Sequence, residues 1–326
     1  MRSILFIFCL LCGQIAVSQS TGNSTSSNNS IPSSVQKNLN AENLYYQPVL
    51  ATPSNAVAWL DYYKWVLSNK ELSGAEKTSQ KLQAIQSAKP YIGNSWQYSI
   101  MNFIESNKRD KTFLDAAISQ ASDKAAVYPY AIHYAIIANN ENLLKGYAMA
   151  LNELAPLSPA MYEYHYNALM SAPLHARIYA KGLTDLAPMA ILQKVHGIRP
   201  DIQLKYYEQT ITDTANAFIC LSAGREIIEA YPNAGYSGLL IGVSKSESSG
   251  LLKQRATFFK LDQLKMINQL EDSEKSIYRN YLPSFLLLYK AARANNESGA
   301  VEWKDMLLKI GKLTGSLDAV NKMLGE

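Results

Sequence analysis

The apolar and polar positions along residues 53–172 follow a helical period. Apolar residues recur every three or four positions, as one buried face of a helix requires. The clearest of these helices are predicted at 73–88, 110–121 and 140–154. Ser54 and Ser158 are suited to cap two further helices, the second with Pro159 in its first turn. Pro129 falls inside a predicted helix, so we expect it to bend that helix or to delay its start.

The helical pattern also repeats along the chain. Residues 123–130 (DKAAVYPY) align with residues 157–164 (LSPAMYEY) at an offset of 34 residues. Helix pairs that recur at this interval are typical of tetratricopeptide-like stacking, in which each pair covers the apolar face of its neighbour. We therefore predict about three and a half degenerate tetratricopeptide-like repeats over residues 42–173.

Beyond residue 173 the periodicity changes to short strand-like segments separated by helices. The predicted strands are 176–181, 201–207, 216–222 and 237–244, and the predicted helices between them are 186–196 and 225–231. Parallel neighbours need a crossover connection, so two strand–helix–strand units predict a small, largely parallel sheet. The last part returns to helices, predicted at 261–275, 276–295 and 298–325. The predicted fold is therefore mostly α, with a small α/β unit over 174–250 and C-terminal helices over 251–326.

Residues 1–18 have the pattern of a secretory signal peptide: a basic residue, an apolar run and a small-residue end, Ala16-Val17-Ser18. Residues 19–41 are rich in Ser and Asn, with almost nothing to bury, and are predicted to form a flexible linker. We therefore expect an exported protein that is periplasmic or associated with the cell surface.

A lipoprotein signal is the alternative, with Cys9 or Cys12 as the lipidated residue. The residues before both cysteines are large, which favours a soluble mature form. Cleavage would leave Cys220 as the single thiol, so no internal disulfide can form. Cys220 lies in an apolar run, which favours a buried hydrophobic role over a nucleophilic one.

Charge and motifs exclude several classes of function. The formal net charge is only +4, and no stretch concentrates Lys and Arg, so we expect no nucleic-acid partner. No later segment holds 18 apolar residues in a row, so we expect no membrane span in the mature chain. The four histidines lack metal-ligand spacing, and no phosphate-loop, dinucleotide or nucleophile-elbow motif is present. We predict no catalytic residue, no metal and no cofactor.

The turn after the first predicted strand contains the main candidate for chemistry. Gly182 permits a tight turn, Thr184 or Asp185 can cap the following helix, Pro188 suits its first turn, and Gly197 can end it. All these roles are structural. An aspartate at the end of a strand, facing a helix N-terminus, is however also where open sheets bind ligands.

The candidate ligand-binding residues are therefore Asp185, Arg199 and Asp201. The candidate partner-binding residues are the repeat tyrosines and a neighbouring histidine, namely Tyr128, Tyr130, Tyr162, Tyr164 and His165. Tyrosines offer rigid area with a polar tip, which suits recognition by the concave face of a repeat array. The alternative, that the same residues form the core between repeats, stays open. The expected partner is a protein of the cell envelope.

Residues 182–204 (GLTDLAPMAILQKVHGIRPDIQL) resemble a block in the soluble C-terminal region of bacterial protein O-mannosyltransferase-like membrane proteins, in degenerate form. The matching positions are Gly182, Asp185, Leu192, Gln193, Gly197, Arg199 and Asp201. Leu183 and Leu186 depart from the block, which has Asp and Thr there. The likeness extends over residues 176–320, without the multi-pass transferase part. The resemblance therefore implies an accessory fold rather than transferase activity.

Two functions follow from these observations. The favoured one is a non-catalytic, exported scaffold or binding protein of the cell envelope that uses its helical-repeat surface. The alternative is an enzyme or glycosylation accessory that binds a sugar or polar ligand at the Gly182–Asp185 turn. The surroundings of Asp185 discriminate between them, because a ligand site needs several convergent polar groups whereas a helix cap needs only backbone N–H partners.

Overall fold

The computed structural model describes residues 44–208, 210–223, 229–231, 233–244 and 249–325. The predicted signal peptide, the predicted linker and most of the predicted helix 225–231 lie outside these residues. The chain divides into two compact units, Met1–Asp123 and Lys124–Glu326. The predicted repeat region, 42–173, therefore contributes to both units.

The described part of the first unit is helical. Its helices are α1 (44–51), α2 (Ala56–Ser68), α3 (Gly74–Ile92), α4 (Trp96–Glu105) and α5 (Lys111–Gln120). Asn55 rather than Ser54 caps α2, with its side chain accepting two backbone N–H bonds. Ser73 and Glu76 form a reciprocal capping box at the start of α3. The buried core includes large side chains such as Tyr63 and Phe103.

The second unit begins with a short 3-10 turn, Lys124–Ala126, followed by α6 (Tyr128–Ile137), α7 (Glu141–Leu154) and α8 (Pro159–Met170). Pro129 occupies the first turn of α6, so the predicted delay in the start of that helix is confirmed. Ser158 caps α8 through a bond from the Met161 N–H, and Pro159 opens it, as predicted.

The sheet follows α8 and is mixed. Its strands are β1 (Arg177–Ala180), β2 (Gln203–Tyr206), β3 (Ala217–Cys220), β4 (Gly235–Ser237) and β5 (Leu240–Gly242), in the spatial order β2-β1-β3-β5-β4. β1 pairs in parallel with both β2 and β3. β5 pairs antiparallel with β3 and with β4. The parallel arrangement therefore holds for the first three strands, while β4 and β5 add an antiparallel hairpin.

The crossover between β1 and β2 is α9 (Leu183–Lys194), which starts three residues earlier than predicted and contains Pro188 in its interior. Burial explains the tolerance for this proline, since every residue from 185 to 193 is buried and the packing outweighs the lost backbone bond. Gly197 adopts the predicted left-handed conformation, with φ of 68°, after the helix ends.

The chain closes with α10 (Ser249–Ala256), α11 (Asp262–Lys265), α12 (Asp272–Ile277), α13 (Leu282–Ala294), α14 (Gly299–Leu313) and α15 (Leu317–Leu324). These helices share one hydrophobic core with α6 to α9 and the sheet. The predicted fold class, mostly helical with a small α/β unit and C-terminal helices, is confirmed. Within the described residues, no helix has both the length and the apolar character needed to cross a membrane.

Candidate functional site at the carboxyl edge of the sheet

The order of the strands places a topological switch point at the carboxyl end of β1. β1 lies between β2 and β3, and the chain passes from β1 through α9 to β2 before it returns to the other side of β1 as β3. The connections that follow β1 and β3 therefore diverge. In open α/β sheets, ligands bind outside the carboxyl ends of the strands at such a switch point.

Asp185 lies at this point, in the first turn of α9. The cap residue of the helix is Gly182, and no side chain caps the first turn. The capping role predicted for Thr184 or Asp185 is therefore wrong. The Asp185 side chain is instead buried, with a relative exposure of 3%. A buried carboxylate is costly unless polar groups surround it, so its neighbours are informative.

Two side chains face the Asp185 carboxylate from other elements. The Ser222 hydroxyl donates a hydrogen bond to Asp185 Oδ2. Ser222 lies in the 3-10 turn Leu221–Ala223, directly after β3, and is exposed to solvent. On the other side, His165 Nε2 of α8 lies 3.8 Å from Asp185 Oδ1, and this histidine is also buried. The carboxylate is thus located between an exposed hydroxyl and a buried imidazole.

The tautomer of His165 follows from its other ring nitrogen. Nδ1 lies 2.9 Å from the Met161 carbonyl oxygen, which can only accept, so Nδ1 carries a hydrogen. Nε2 has no hydrogen-bond partner among the described residues. One ring nitrogen of His165 is therefore hydrogen-bonded, and the other is a buried acceptor without a bond.

Tyr164 and Cys220 lie beside this cluster and stay uncharged. Burial raises the pKa of the Cys220 thiol well above its usual value, and the charge of Asp185 adds to the effect. Burial likewise raises the pKa of Tyr164, with further contributions from Asp185 and Cys220. The Tyr164 hydroxyl accepts a bond of 2.8 Å from the Asn280 side chain. Cys220 is therefore a buried, protonated thiol, the role that its apolar surroundings in the sequence indicate.

Arg199 and Asp201 are joined in a different place and serve a structural purpose. Arg199 Nε and Nη2 bind the two carboxylate oxygens of Asp201 at 2.8 and 2.9 Å. The remaining guanidinium hydrogens reach the carbonyl oxygens of Leu169, Ala172 and Pro173. A guanidinium has five N–H donors, and all five are used. Arg199 is therefore a clamp that holds the end of α8 beside β2, with no donor left for a ligand.

The five candidate partner-binding residues lie in two environments. Tyr130, Tyr164 and His165 are buried in the core. Tyr128 and Tyr162 are partly exposed and pack against the edge of that core. Of the five candidates, Tyr128 and Tyr162 are therefore the two that can contribute to a recognition surface.

Sequence reasoning did not single out Ser222, which completes the cluster. The available signal was its position at the end of the predicted strand 216–222, two residues before a glycine in the sequence. Sequence reasoning also missed a buried polar stripe along α8 and its C-cap, formed by Glu163, Asn167 and Ser171 at intervals of four residues. Polar residues at helical spacing within an apolar segment are the signal for such a stripe.

Two clefts open elsewhere on the molecule. The larger, of about 490 Å³, is lined by α14 and by Leu264 and Lys265. The other, of about 400 Å³, lies around the end of α3. Neither is lined by the Asp185 cluster. Among the described residues, no three His, Cys, Asp or Glu side chains are grouped to hold a metal ion. Comparison of the chain with protein-family models, curated proteins and solved structures found no match.

Proposed function

We propose that this chain binds a small polar ligand with hydroxyl or amine groups, such as a sugar, at the carboxyl edge of β1 and β3. One observation carries the proposal: the buried Asp185 carboxylate does not cap its helix and is bonded instead to the exposed Ser222 hydroxyl. A ligand donor that displaces the Ser222 hydroxyl would gain a charge-assisted hydrogen bond in partly desolvated surroundings.

The donor and acceptor inventory supports this class of ligand. Asp185 and the free nitrogen of His165 are acceptors, and Ser222 can both donate and accept. Groups that offer donors, such as sugar hydroxyls and ammonium groups, complement this set. Anionic groups do not, because the Asp185 carboxylate repels them.

Thermal unfolding in the presence of sugars, polyols and amines tests the proposal. A ligand that saturates the site at about 100 times its Kd stabilises the folded state by about 2.7 kcal/mol. We expect the Asp185→Asn variant to lose this stabilisation, and the Asp213→Asn variant, which changes an exposed aspartate, to retain it. Equal stabilisation of both variants would place the ligand elsewhere.

Binding to a protein partner of the cell envelope is the second candidate function. The Tyr162 and Tyr166 rings stack at 6.3 Å on α8, and the exposed Lys260 amine lies 4.9 and 4.5 Å from their centroids. This partly exposed aromatic and cationic patch supports a role as a non-catalytic scaffold.

Quantitative affinity capture from envelope extracts tests this second candidate. A partner that uses the patch is captured by the parent chain and lost by the double variant Tyr162→Ala, Tyr166→Ala. The control is Tyr91→Ala, because Tyr91 is 59% exposed in the first unit. Capture that both variants retain equally would rule out the patch as the contact.

We further propose that the chain is exported and that its second unit is an accessory fold related to the soluble region of O-mannosyltransferase-like proteins. The basic and apolar pattern of residues 1–18 supports export. N-terminal sequencing of the protein from its native host tests this point, with Gln19 expected as the first residue of a soluble mature form. A mature chain that retains Met1 contradicts export by this signal.

A further inference from the structure

The outer face of α14 carries a stripe of charged side chains. Its inner face packs into the core through Leu307 and Ile310. On the opposite face, positions separated by three, four and three residues form one continuous line along the helix. This charged stripe consists of Glu302, Asp305, Lys309 and Lys312. Among the described residues, none of the four side chains makes an ion pair.

The order of the charges along the stripe makes it complementary to itself. The two acidic residues lie in the first half of the helix and the two basic residues lie in the second half. When two copies of a helix meet around a two-fold axis they run antiparallel, and each residue faces the same partner position in both directions. With the axis at the level of residue 307, Glu302 faces Lys312 of the second copy, and Asp305 faces Lys309. A parallel arrangement would instead place like charges opposite each other.

Apolar side chains border the charged stripe on both sides. Val301 is 68% exposed, and Met306, Leu308 and Leu313 are partly exposed. Met306 and Leu308 lie on opposite sides of the stripe, one residue before and one after the level of the axis. Each would therefore lie near its own counterpart in the second copy. Burial of these side chains supplies free energy of association, while the charges fix direction and register.

The larger cleft of the molecule runs along the same face of α14. Its volume is about 490 Å³, and its apolar lining comes from Leu264, Val301 and Met306. The amine of Lys309 donates to the carbonyl oxygen of Lys265, which places both lysines at one end of this cleft. The side chains of a second α14 have space to enter here. The cleft and the charged stripe thus form one continuous surface.

We propose that the outer face of α14 is a self-association surface, and that a second copy of this chain covers it in the antiparallel arrangement around residue 307. A contact made by one pair of helices is at the small end of specific interfaces, so the dimer is reversible. The claim goes beyond the proposed ligand site and is independent of it, because neither Asp185 nor Ser222 lines this surface.

Sedimentation equilibrium of the full chain over a range of concentrations provides the first test. We expect the mean mass to rise from that of a monomer to that of a dimer as concentration increases. The association constant should fall as salt is raised from about 0.1 M to about 1 M, because the screening length shrinks from about 10 Å to about 3 Å. A parent chain that remains monomeric up to about 0.5 mM would overturn the proposal.

Charge reversal of one half of the stripe at a time tests the register. The double variant Glu302→Lys, Asp305→Lys has only basic side chains along the stripe, and Lys309→Glu, Lys312→Glu has only acidic ones. We expect each variant alone to lose at least about 10-fold in association constant, because like charges then face each other. An equimolar mixture of the two variants should form a heterodimer at least as stable as the parent dimer, because opposite charges face each other again.

The matched control is the double variant Glu71→Lys, Glu153→Lys, which changes the net charge by the same amount at two exposed positions away from the stripe. It should associate like the parent chain, and thermal unfolding should show that all the variants remain folded. Association that both reversed variants retain, or a mixture that forms no heterodimer, would overturn the proposal. A monomeric parent whose α14 variants lose capture of an envelope protein would assign the surface to a different partner and overturn it too.

Discussion

Charged residues with similar positions in the sequence have opposite roles in the structure. Asp185, Arg199 and Asp201 all lie beside the crossover between β1 and β2. Arg199 uses all five of its donors on Asp201 and on carbonyl oxygens at the end of α8, and Asp201 is held in this ion pair. Asp185 faces a surface serine and a histidine nitrogen that lacks a partner. Only Asp185 therefore has neighbours that point to chemistry.

The Arg199→Lys variant tests the clamp. Lysine retains the charge but concentrates three donors on one atom, so it cannot reach the carboxylate and the three carbonyl oxygens together. We expect a loss of about 2–3 kcal/mol in the free energy of unfolding, measured by urea denaturation.

The matched control for this variant is Arg177→Lys. Arg177 pairs with Asp213, whose side chain is 64% exposed, so the loss should be smaller. If the two variants lose the same stability, Arg199 is not a clamp.

The pH dependence of stability tests Asp201 separately. Hydrogen bonds from Arg199 hold the pKa of Asp201 well below its usual range. Its stabilising contribution is therefore fully present above the unfolded value, which is about 3.9, and is lost as pH falls below it. We expect the difference in unfolding free energy between the parent chain and Asp201→Asn to be large at pH 7 and to shrink at pH 3. A difference that does not change with pH would contradict this role.

At the scale of elements, α8 connects several parts of the second unit, because different faces of this helix contact different elements. Glu163 accepts backbone N–H bonds from Gln263 and Leu264, and Asn167 binds the backbone of Lys260, so this face holds the C-terminal helices. Burial raises the pKa of Glu163, and these N–H bonds oppose the effect. His165, at a neighbouring position of α8, lies beside Asp185 at the edge of the sheet. One helix therefore joins the structural core to the candidate site.

The turn between β4 and β5 depends on the end of α8. Gly238 has φ of 58°, and a Cβ there would lie 2.2 Å from Ser171 Oγ. The Gly238→Ala variant should lose about 2–4 kcal/mol of stability through this clash and the backbone strain, as measured by thermal unfolding. Gly146, inside α7, has no atom within 4 Å of an added Cβ. The Gly146→Ala control should therefore gain about 0.5–1 kcal/mol. Similar effects of both variants would show that close packing at Gly238 is unimportant.

Local signals predicted the elements well where neighbours in sequence determine them. Ser158 and Pro159 open α8 as predicted, because a cap bonds to N–H groups two or three residues away. The start of α9 was predicted three residues late, because Thr184 and Asp185 have the composition of a turn. Asp185 is nevertheless helical and buried by contacts from other elements, which propensity cannot reveal.

At the scale of the molecule, the boundary between the two compact units does not coincide with the point where the sequence periodicity changes. The sequence pattern changes near residue 173, whereas compact units meet at Asp123 and Lys124. The helices α6 to α8 lie in the region where repeats are predicted, yet their buried residues belong to the core that contains α9 and the sheet. The smallest folding unit around the site therefore includes them.

Two fragments test this division. A chain of residues 124–326 retains the whole hydrophobic core of the second unit and should unfold in one cooperative thermal transition. A chain of residues 174–326 lacks α8 and its buried Glu163 and Asn167, and should show no cooperative transition. Near-ultraviolet circular dichroism measures both outcomes. Cooperative unfolding of the shorter fragment would favour the boundary at residue 173.

The sequence alone determined the class of the fold, the cap of α8 at Ser158, and the glycine at the end of α9, because periodicity and capping act within one or two turns of the chain. Tertiary structure decided the role of each candidate residue. Ser222 and Asp185 are 37 residues apart in sequence and meet only because β3 returns to the side of β1. A hydrogen bond across that distance has no local signature, so the packing of the sheet alone identifies the site.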